Sequence, residues 1–358
     1  MNYRIGGEFE INAGELSRLP IDNFSPTLKS KKMWLDTGRS AIYAALKTII
    51  SQGGSRIAWL PAYSCESIVL AFEALEFDVN YYSMGEDLQT PSGLPEDIEN
   101  QTLLFIHYFG KSNSVMENWL RKKKTEQTVY VIEDAVQACF NKNLGEVGDF
   151  VVSSLRKFTE QPDGGLLCSD FSFEPIELEP VDENFVSKKI VAKLLRGMDK
   201  NESLYLELFN ESETKLNNTV TPRHMSWFSK YLMRRIDINE VKSKRVNNYQ
   251  SLCSRFKSDK NFSEKIKPLF GNFEETEVPL GFPVKIKASQ RNSFRKYLAN
   301  KQIYCPIHWV LDHLTPVKNL EADIKLSEEI LTLPIDQRMG EAHLDYMWTV
   351  LQDYQYEN

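Results

Sequence analysis

Lys157 lies in the run Ser153-Ser154-Leu155-Arg156-Lys157, after Val147-Gly148-Asp149-Phe150 and shortly before Pro162-Asp163-Gly164-Gly165. The pattern predicts a strand over Phe150 to Leu155, a turn carrying the lysine, and a glycine pair that opens a second strand over Leu166 to Ser169. In an α/β protein this puts an amine at a strand end, where ligands gather. An amine so placed can act as a nucleophile and form a Schiff base with an aldehyde such as pyridoxal phosphate. The alternative is a plain surface-loop lysine, and the rest of the chain bears on the choice.

Three other segments offer chemistry of the right kind. Asp36-Thr37-Gly38-Arg39-Ser40-Ala41-Ile42 is a glycine turn entering a helix. Gly38, Arg39 and Ser40 together provide backbone N–H groups, a guanidinium and a hydroxyl for a phosphate dianion. A plain helix start explains the same residues. In Val131-Ile132-Glu133-Asp134-Ala135-Val136-Gln137, Asp134 ends an apolar strand. A carboxylate there would pair with a protonated pyridine nitrogen, and Gln137 one turn on faces the same side. An N-cap of the following helix is the other role for Asp134. The third segment, Leu60-Pro61-Ala62-Tyr63-Ser64-Cys65-Glu66, is again a strand end entering a helix. Tyr63 there either lies on a cofactor ring or packs in the core.

The elements that must position these residues alternate through the first half. Arg39 to Ser51 has apolar positions Ile42, Ala45, Leu46 and Ile49 at helical spacing, ended by Gly53-Gly54. Strand-like runs follow at Ile57 to Leu60, Val79 to Ser83, Leu103 to Tyr108 and Val129 to Ile132, with helical stretches at Ser67 to Leu75 and Val115 to Lys124. The alternation predicts a mostly parallel central sheet covered on both faces. Beyond Asp170, Asp182 to Phe209 and Met225 to Phe256 read as helical. A smaller α+β unit follows, with a strand over Val278 to Ile286 and helices over Ser293 to Lys301 and His343 to Gln355. The boundary falls near Asp237, giving a large domain over 1–236, with an N-terminal arm of about 1–34, and a small domain over 237–358.

Composition removes several classes. The 358-residue chain is 42 % hydrophobic and 26 % charged, values of a globular protein rather than a disordered or fibrous one. A net charge of −7 argues against non-specific nucleic-acid binding. The basic run Arg121-Lys122-Lys123-Lys124 sits at a helix end, where cations complement the dipole. No apolar run is long enough to span a bilayer and the first residues lack a signal-peptide core, so a cytoplasmic protein is expected. Cys65, Cys139, Cys168, Cys253 and Cys305 are odd in number and lack CxxC spacing, as reduced thiols rather than a disulfide frame or zinc site would be.

Taken in order, Thr37-Gly38-Arg39-Ser40-Ala41, Leu60-Pro61-Ala62-Tyr63-Ser64, His107-Tyr108-Phe109-Gly110, Ile132-Glu133-Asp134-Ala135-Val136-Gln137 and Gly148-Asp149 with Ser154, Lys157 and Gly164-Gly165 resemble the DegT/DnrJ-type (StrS-like) aminotransferases. Arg245 to Tyr249 and Leu331 to Arg338 are similar to that family's small-domain landmarks, so the resemblance covers nearly the whole chain. It implies the aspartate-aminotransferase-like α/β fold and pyridoxal 5'-phosphate as cofactor. By the same resemblance Lys157 forms the Schiff base, Asp134 sits beside the pyridine nitrogen, and Gln137 contacts the region of the ring hydroxyl. Ser154, or Ser153, binds the phosphate together with Gly38, Arg39 and Ser40.

This chain departs from the family pattern at several places. Arg39 replaces a threonine in the phosphate loop. Cys65 stands where many members stack an aromatic residue on the ring, so either its thiol packs there or Tyr63 takes over. Pro162-Asp163 replaces Gly-Glu before the glycine pair. No asparagine aligns near Pro222-Arg223-His224-Met225-Ser226, so Arg223 or His224 is left to reach a partner subunit's phosphate. The implied function is transfer of an amino group, from glutamate in much of the family, to a keto sugar nucleotide for amino-sugar and surface-polysaccharide biosynthesis, carried out by a homodimer. His107, His308, Trp309 and Arg338 are candidate substrate contacts, each with a structural reading beside it. Another reaction of the same cofactor on a small amine, or a non-catalytic protein that keeps the fold for binding or regulation, stays open on the sequence.

Overall fold

The computed structural model describes residues 3–21, 29–217, 220–311, 314 and 319–356. Parts of the expected N-terminal arm, residues 1–2 and 22–28, lie outside the described residues. The chain begins β1 (Ile5–Gly6), α1 (Ala13–Leu16), β2 (Lys31–Leu35), α2 (Gly38–Ser51), β3 (Ile57–Pro61), α3 (Glu66–Glu73), β4 (Asp78–Tyr82) and β5 (Thr102–Ile106). It continues α4 (Ser114–Glu126), β6 (Tyr130–Asp134), β7 (Phe150–Ser153), β8 (Gly165–Ser169), α5 (Glu183–Gly197), α6 (Glu202–Asn217), α7 (Trp227–Met233) and α8 (Ile238–Ser258). The last elements are α9 (Lys260–Lys265), β9 (Lys267–Pro268), β10 (Phe282–Lys285), α10 (Ala288–Asn300), β11 (Ile303–Tyr304), α11 (Glu321–Glu329), β12 (Ile330–Leu333) and α12 (Glu341–Asp353).

A seven-stranded sheet in the order β2-β8-β7-β6-β5-β3-β4 forms the centre. Pairings from β4 through β7 are parallel, while β8 runs antiparallel to both β7 and β2. The sheet is therefore mostly parallel, as the alternation of elements predicts, and β8 is the reversed strand. Every residue of β5, β6, β7 and β8 is buried, which is why these strands read as continuous apolar runs rather than alternating ones. Helix α2 covers one face through Ala41, Ile42, Ala45, Leu46 and Ile49, and these join the largest core with Leu60, Leu104, Ile132 and Val152.

Because β2 and β7 both run antiparallel to β8, and β3, β4, β5 and β6 run with β7, the chain segments that leave the sheet at one edge include five that matter for the site. They are the segments after Leu35, Pro61, Ile106, Asp134 and Ser153. Every stretch that the sequence marks as a cofactor candidate follows one of these strand ends.

A second core gathers Tyr249, Leu252 and Phe256 of α8 with Phe282, Val284, Phe294, Leu331 and Leu344. Ile5 belongs to it as well, since β1 pairs with β11. The start of α8 packs differently, with Ile238 and Val241 against Phe140 and Phe158. One helix thus touches both cores. The stretch Asp182 to Phe209, a single helical run by periodicity, breaks after Gly197, where Asp199 and Asn201 take left-handed φ of 52° and 51°. The expected strand Val278 to Ile286 narrows to Phe282–Lys285, because the Leu280 N–H is bonded to Phe109 O outside any sheet. All five cysteines are free thiols. Among the described residues no helix is long and apolar enough to cross a membrane.

Candidate active site

At the strand-end edge a cavity of about 170 Å³ is bordered by Gly38 and Arg39 after β2, Cys65 after β3, Asp134 and Gln137 after β6, and Ser154 and Lys157 after β7. His308 and Trp309 border it from the segment that follows β11. Segments widely separated in sequence are thereby brought around one space.

Lys157 is carried on a short 3-10 turn, Leu155–Lys157, directly after β7. The residue after it is clamped. Phe158 O accepts from Arg245 Nη2 at 3.3 Å and from Gln337 Nε2 at 2.8 Å, so α8 and the segment after β12 converge on the backbone next to the lysine. Lys157 keeps exposed surface, and that surface borders the cavity. The adjacent Arg156 guanidinium, and then burial, hold its amine below the usual lysine range. A lowered lysine has more of the free base that nucleophilic chemistry requires.

Asp134 is 4 % exposed at the end of β6, and its Oδ1 accepts the Val136 N–H at 2.8 Å. Burial raises its carboxyl to about 6, against the opposing pull of His107 and Lys157. A buried carboxylate that burial disfavours is a place for an incoming cation. Gln137 is oriented by its own acceptor, since the Phe109 N–H donates to Oε1 at 2.7 Å. The amide NH₂ is then the donor that Gln137 has to offer.

The start of α2 is held by Thr37, whose Oγ1 accepts the Ser40 N–H at 3.1 Å, and the first intrahelical bond runs from Ala41 N–H to Thr37 O. The glycines make the loop possible. A Cβ on Gly38 would stand 3.1 Å from Val136 Cγ2, and one on Gly165 would stand 2.0 Å from Thr37 O. Gly164, at φ +130°, donates its N–H to Asp36 O at 2.6 Å. Its carbonyl accepts Ser154 Oγ–H at 2.9 Å. Ser153 is buried outside the cavity, and its hydroxyl has no partner among the described residues.

Four of the sequence-marked residues stand outside the cavity lining, each with a local reason. Ser40 spends its hydroxyl on Asp36 Oδ1 at 2.6 Å, so it stabilises the loop from behind. Tyr63 is fully buried and donates its hydroxyl to His308 O, with its ring 5.9 Å from that of Trp309. It braces the wall rather than bordering the space. His107 Nδ1 accepts the Asn113 N–H at 3.2 Å, which leaves Nε2 to donate to Glu133 Oε1 at 3.1 Å. Arg338 is bound to Asp336 and Glu10. Asp163 is also outside the lining, buried where it accepts from Ser226 and Ser229 at the start of α7.

Of the two remaining substrate candidates, His308 is pushed down to about 3 by burial and by the Lys157 charge, so it is neutral, with Nδ1 3.0 Å from Thr332 Oγ1. Arg156 and Glu213 border the cavity without having been marked by sequence. They are paired at 3.2 Å, and Glu213 is also bonded to Lys189 of α5. Arg156 had the signal of adjacency to Lys157, whereas nothing local singles out Glu213 within α6.

The residues present fit pyridoxal phosphate. A helix start and two guanidiniums offer anion binding, a buried acid with a raised pKa offers a counter-charge, and an amine with a lowered pKa borders the same cavity. Ile42, Ile68, Val136, Leu280 and Trp309 supply apolar wall for a flat ring.

The fold is that of the aminotransferases. A putative sugar aminotransferase of Streptococcus pneumoniae, solved in its PLP form, superposes with a TM-score of 0.67 at 14 % identity over 98 % of this chain and 99 % of that one. NtdA of Bacillus subtilis with bound cofactor PMP gives 0.63 at 16 % identity, covering 90 % of this chain and 73 % of that one. A DegT DnrJ EryC1 StrS aminotransferase of Brucella abortus gives 0.60 at 14 % identity over 90 % and 86 %. No protein-family model matches the chain, and no curated protein matches it.

Proposed function

We propose that this chain is a pyridoxal-phosphate-dependent aminotransferase that moves an amino group, with glutamate as donor, onto a keto sugar nucleotide. The observation that carries the reading is that Lys157 and the buried acid Asp134 border one cavity together with the start of α2. The structural neighbours described as sugar aminotransferases support the choice of acceptor class. Working as a cytoplasmic homodimer in surface-polysaccharide biosynthesis is the remaining part of the proposal.

Lys157 Nζ would hold the cofactor covalently, with Gly38 and Arg39 at its phosphate, Asp134 at its ring nitrogen and Gln137 at its ring hydroxyl, and Ser154 would join the phosphate by turning its hydroxyl from Gly164 O. Bound there, it would supply an electron sink for the substrate carbon that loses a proton. The protein does the rest. Asp134 would hold a positive charge at the β6 border of the cavity, and a charge so placed is favoured because it relieves the cost of burying the carboxylate. Once released, Lys157 Nζ takes the proton from the donor's α-carbon and later returns one to the acceptor carbon. The Arg156 charge assists by keeping that amine easy to deprotonate. Neutral His308 and the Trp309 ring border the cavity from the segment after β11.

A spectrum tests this. Protein mixed with pyridoxal phosphate develops the visible absorbance of a lysine-linked cofactor, Lys157→Ala abolishes the covalent link, and glutamate bleaches the band. No visible band in the wild-type protein sinks the proposal. A band that glutamate leaves unchanged removes glutamate as donor.

A further inference from the structure

A second cavity, of about 690 Å³, opens on the other side of Lys157 and shares Arg156, Lys157 and His308 with the first. Its far wall is α10, which contributes Asn292, Arg295, Lys296 and Ala299. The spacing i, i+3, i+4, i+7 means that a single helix face is turned to the space. That face carries two cations. Among the described residues neither Arg295 nor Lys296 is paired with a carboxylate, and both are exposed, although Arg295 Nε donates to Cys305 O at 3.0 Å.

The one acid in the lining is Glu8. Its charge is already balanced by Lys189 and Lys193, at 3.2 and 3.1 Å, which are themselves 1 % and 2 % exposed. The space is therefore net positive inside a chain of net charge −7, a contrast that concentrates anions at the cavity. Size separates the two cavities. At about 170 Å³ the first leaves no room for a nucleotide-sized molecule beside a cofactor, whereas the second lies within the roughly 300–1000 Å³ of ordinary ligand sites.

We infer that Arg295 and Lys296 form a diphosphate subsite through which the acceptor is held with its keto carbon toward Lys157. This rests on the aminotransferase reading and adds to it the part of the acceptor that is recognised and the residues that recognise it. Tyr304 borders the same space.

The test uses protein loaded with pyridoxal phosphate and titrated calorimetrically with inorganic pyrophosphate. Pyrophosphate binds, more tightly than orthophosphate or succinate, and the affinity falls with added salt. Lys296→Gln weakens it about tenfold, the size expected for losing one charge-assisted contact. Arg295→Gln does the same, but it also removes the bond to Cys305 O, so Lys296→Gln is the variant that separates binding from folding. Both variants keep the visible cofactor band, so failure of the cofactor reading and failure of the subsite are distinguishable. Pyrophosphate affinity unchanged in both variants, or no binding to the wild type, overturns the subsite. Equal affinity for orthophosphate or succinate overturns the diphosphate assignment.

Discussion

The carbonyl oxygen of Thr37 would lie 2.0 Å from a Cβ placed on Gly165, so the turn that starts α2 rests directly on the backbone that opens β8. The next contacts are also with backbone, Thr37 C at 2.2 Å and Gly38 N at 2.8 Å. Gly165→Ala must therefore push the loop away from the sheet, because the clash is with backbone rather than with a flexible side chain. It is expected to cost about 3 kcal/mol of stability, the upper end for overpacking, and to weaken cofactor retention further than that loss alone accounts for. Chemical denaturation and cofactor titration on the same variant check both parts.

Asp134 gives a pH dependence with a definite sign. Its carboxyl is raised by burial from 3.8 to about 6, so between those values the folded state binds more protons than the unfolded one. Stability of the cofactor-free protein then falls as pH rises through this window, by about 3 kcal/mol for a two-unit shift, and is unaffected by this group below pH 4. Asp134→Asn removes the dependence. The measurement is the difference between wild-type and Asp134→Asn denaturation midpoints from pH 4 to 7. A difference that does not change with pH contradicts the assignment.

How much of the fold and the site is legible in the sequence depends on the reach of each contact. Asp134, Gln137 and Lys157 each end a strand or follow one directly, so local pattern was enough to mark them. Local pattern marks the start of α2 for the same reason, but it assigns Ser40 to the phosphate, because the bond from Ser40 to Asp36 cannot be seen in a linear string. Arg338 resembled a carboxylate binder until the fold brought Glu10 to it from 328 positions away. Glu213 reaches Arg156 across 57 positions and carries no local mark at all. The short strand β12 was missed because four residues of a small sheet make too little pattern, although its partner β10 was recognised.

Arg156 and Glu213 act on Lys157 in opposite directions, which makes the lowered lysine testable. Arg156 lowers the amine and Glu213 raises it. In cofactor-free protein the pH profile of Lys157 modification by trinitrobenzenesulfonate should have its midpoint below that of ordinary lysines. Arg156→Met moves it up and Glu213→Gln moves it down. Shifts in the same direction would mean that folding changes, not charge, control the amine.

Arg338 provides the contrasting case, a cation near the site that works through the fold. Nη1 is 2.5 Å from Glu10 and Nη2 is 2.8 Å from Asp336, while the Gly7 and Glu8 carbonyls accept from the same guanidinium. The two carboxylates hold its charge well above the usual arginine range. Removing it leaves Glu10 and Asp336 without their shared cation and releases the segment that carries Glu8 and Phe9 along the second cavity. Arg338→Ala should therefore lose about 3 kcal/mol, as expected when one partner of a largely buried pair is deleted. It should keep the wild-type response of its visible band to glutamate at temperatures where it remains folded. The decisive readout is the glutamate concentration that bleaches half the band. If that rises tenfold or more while the thermal midpoint stays put, Arg338 contacts the donor directly and the structural assignment fails.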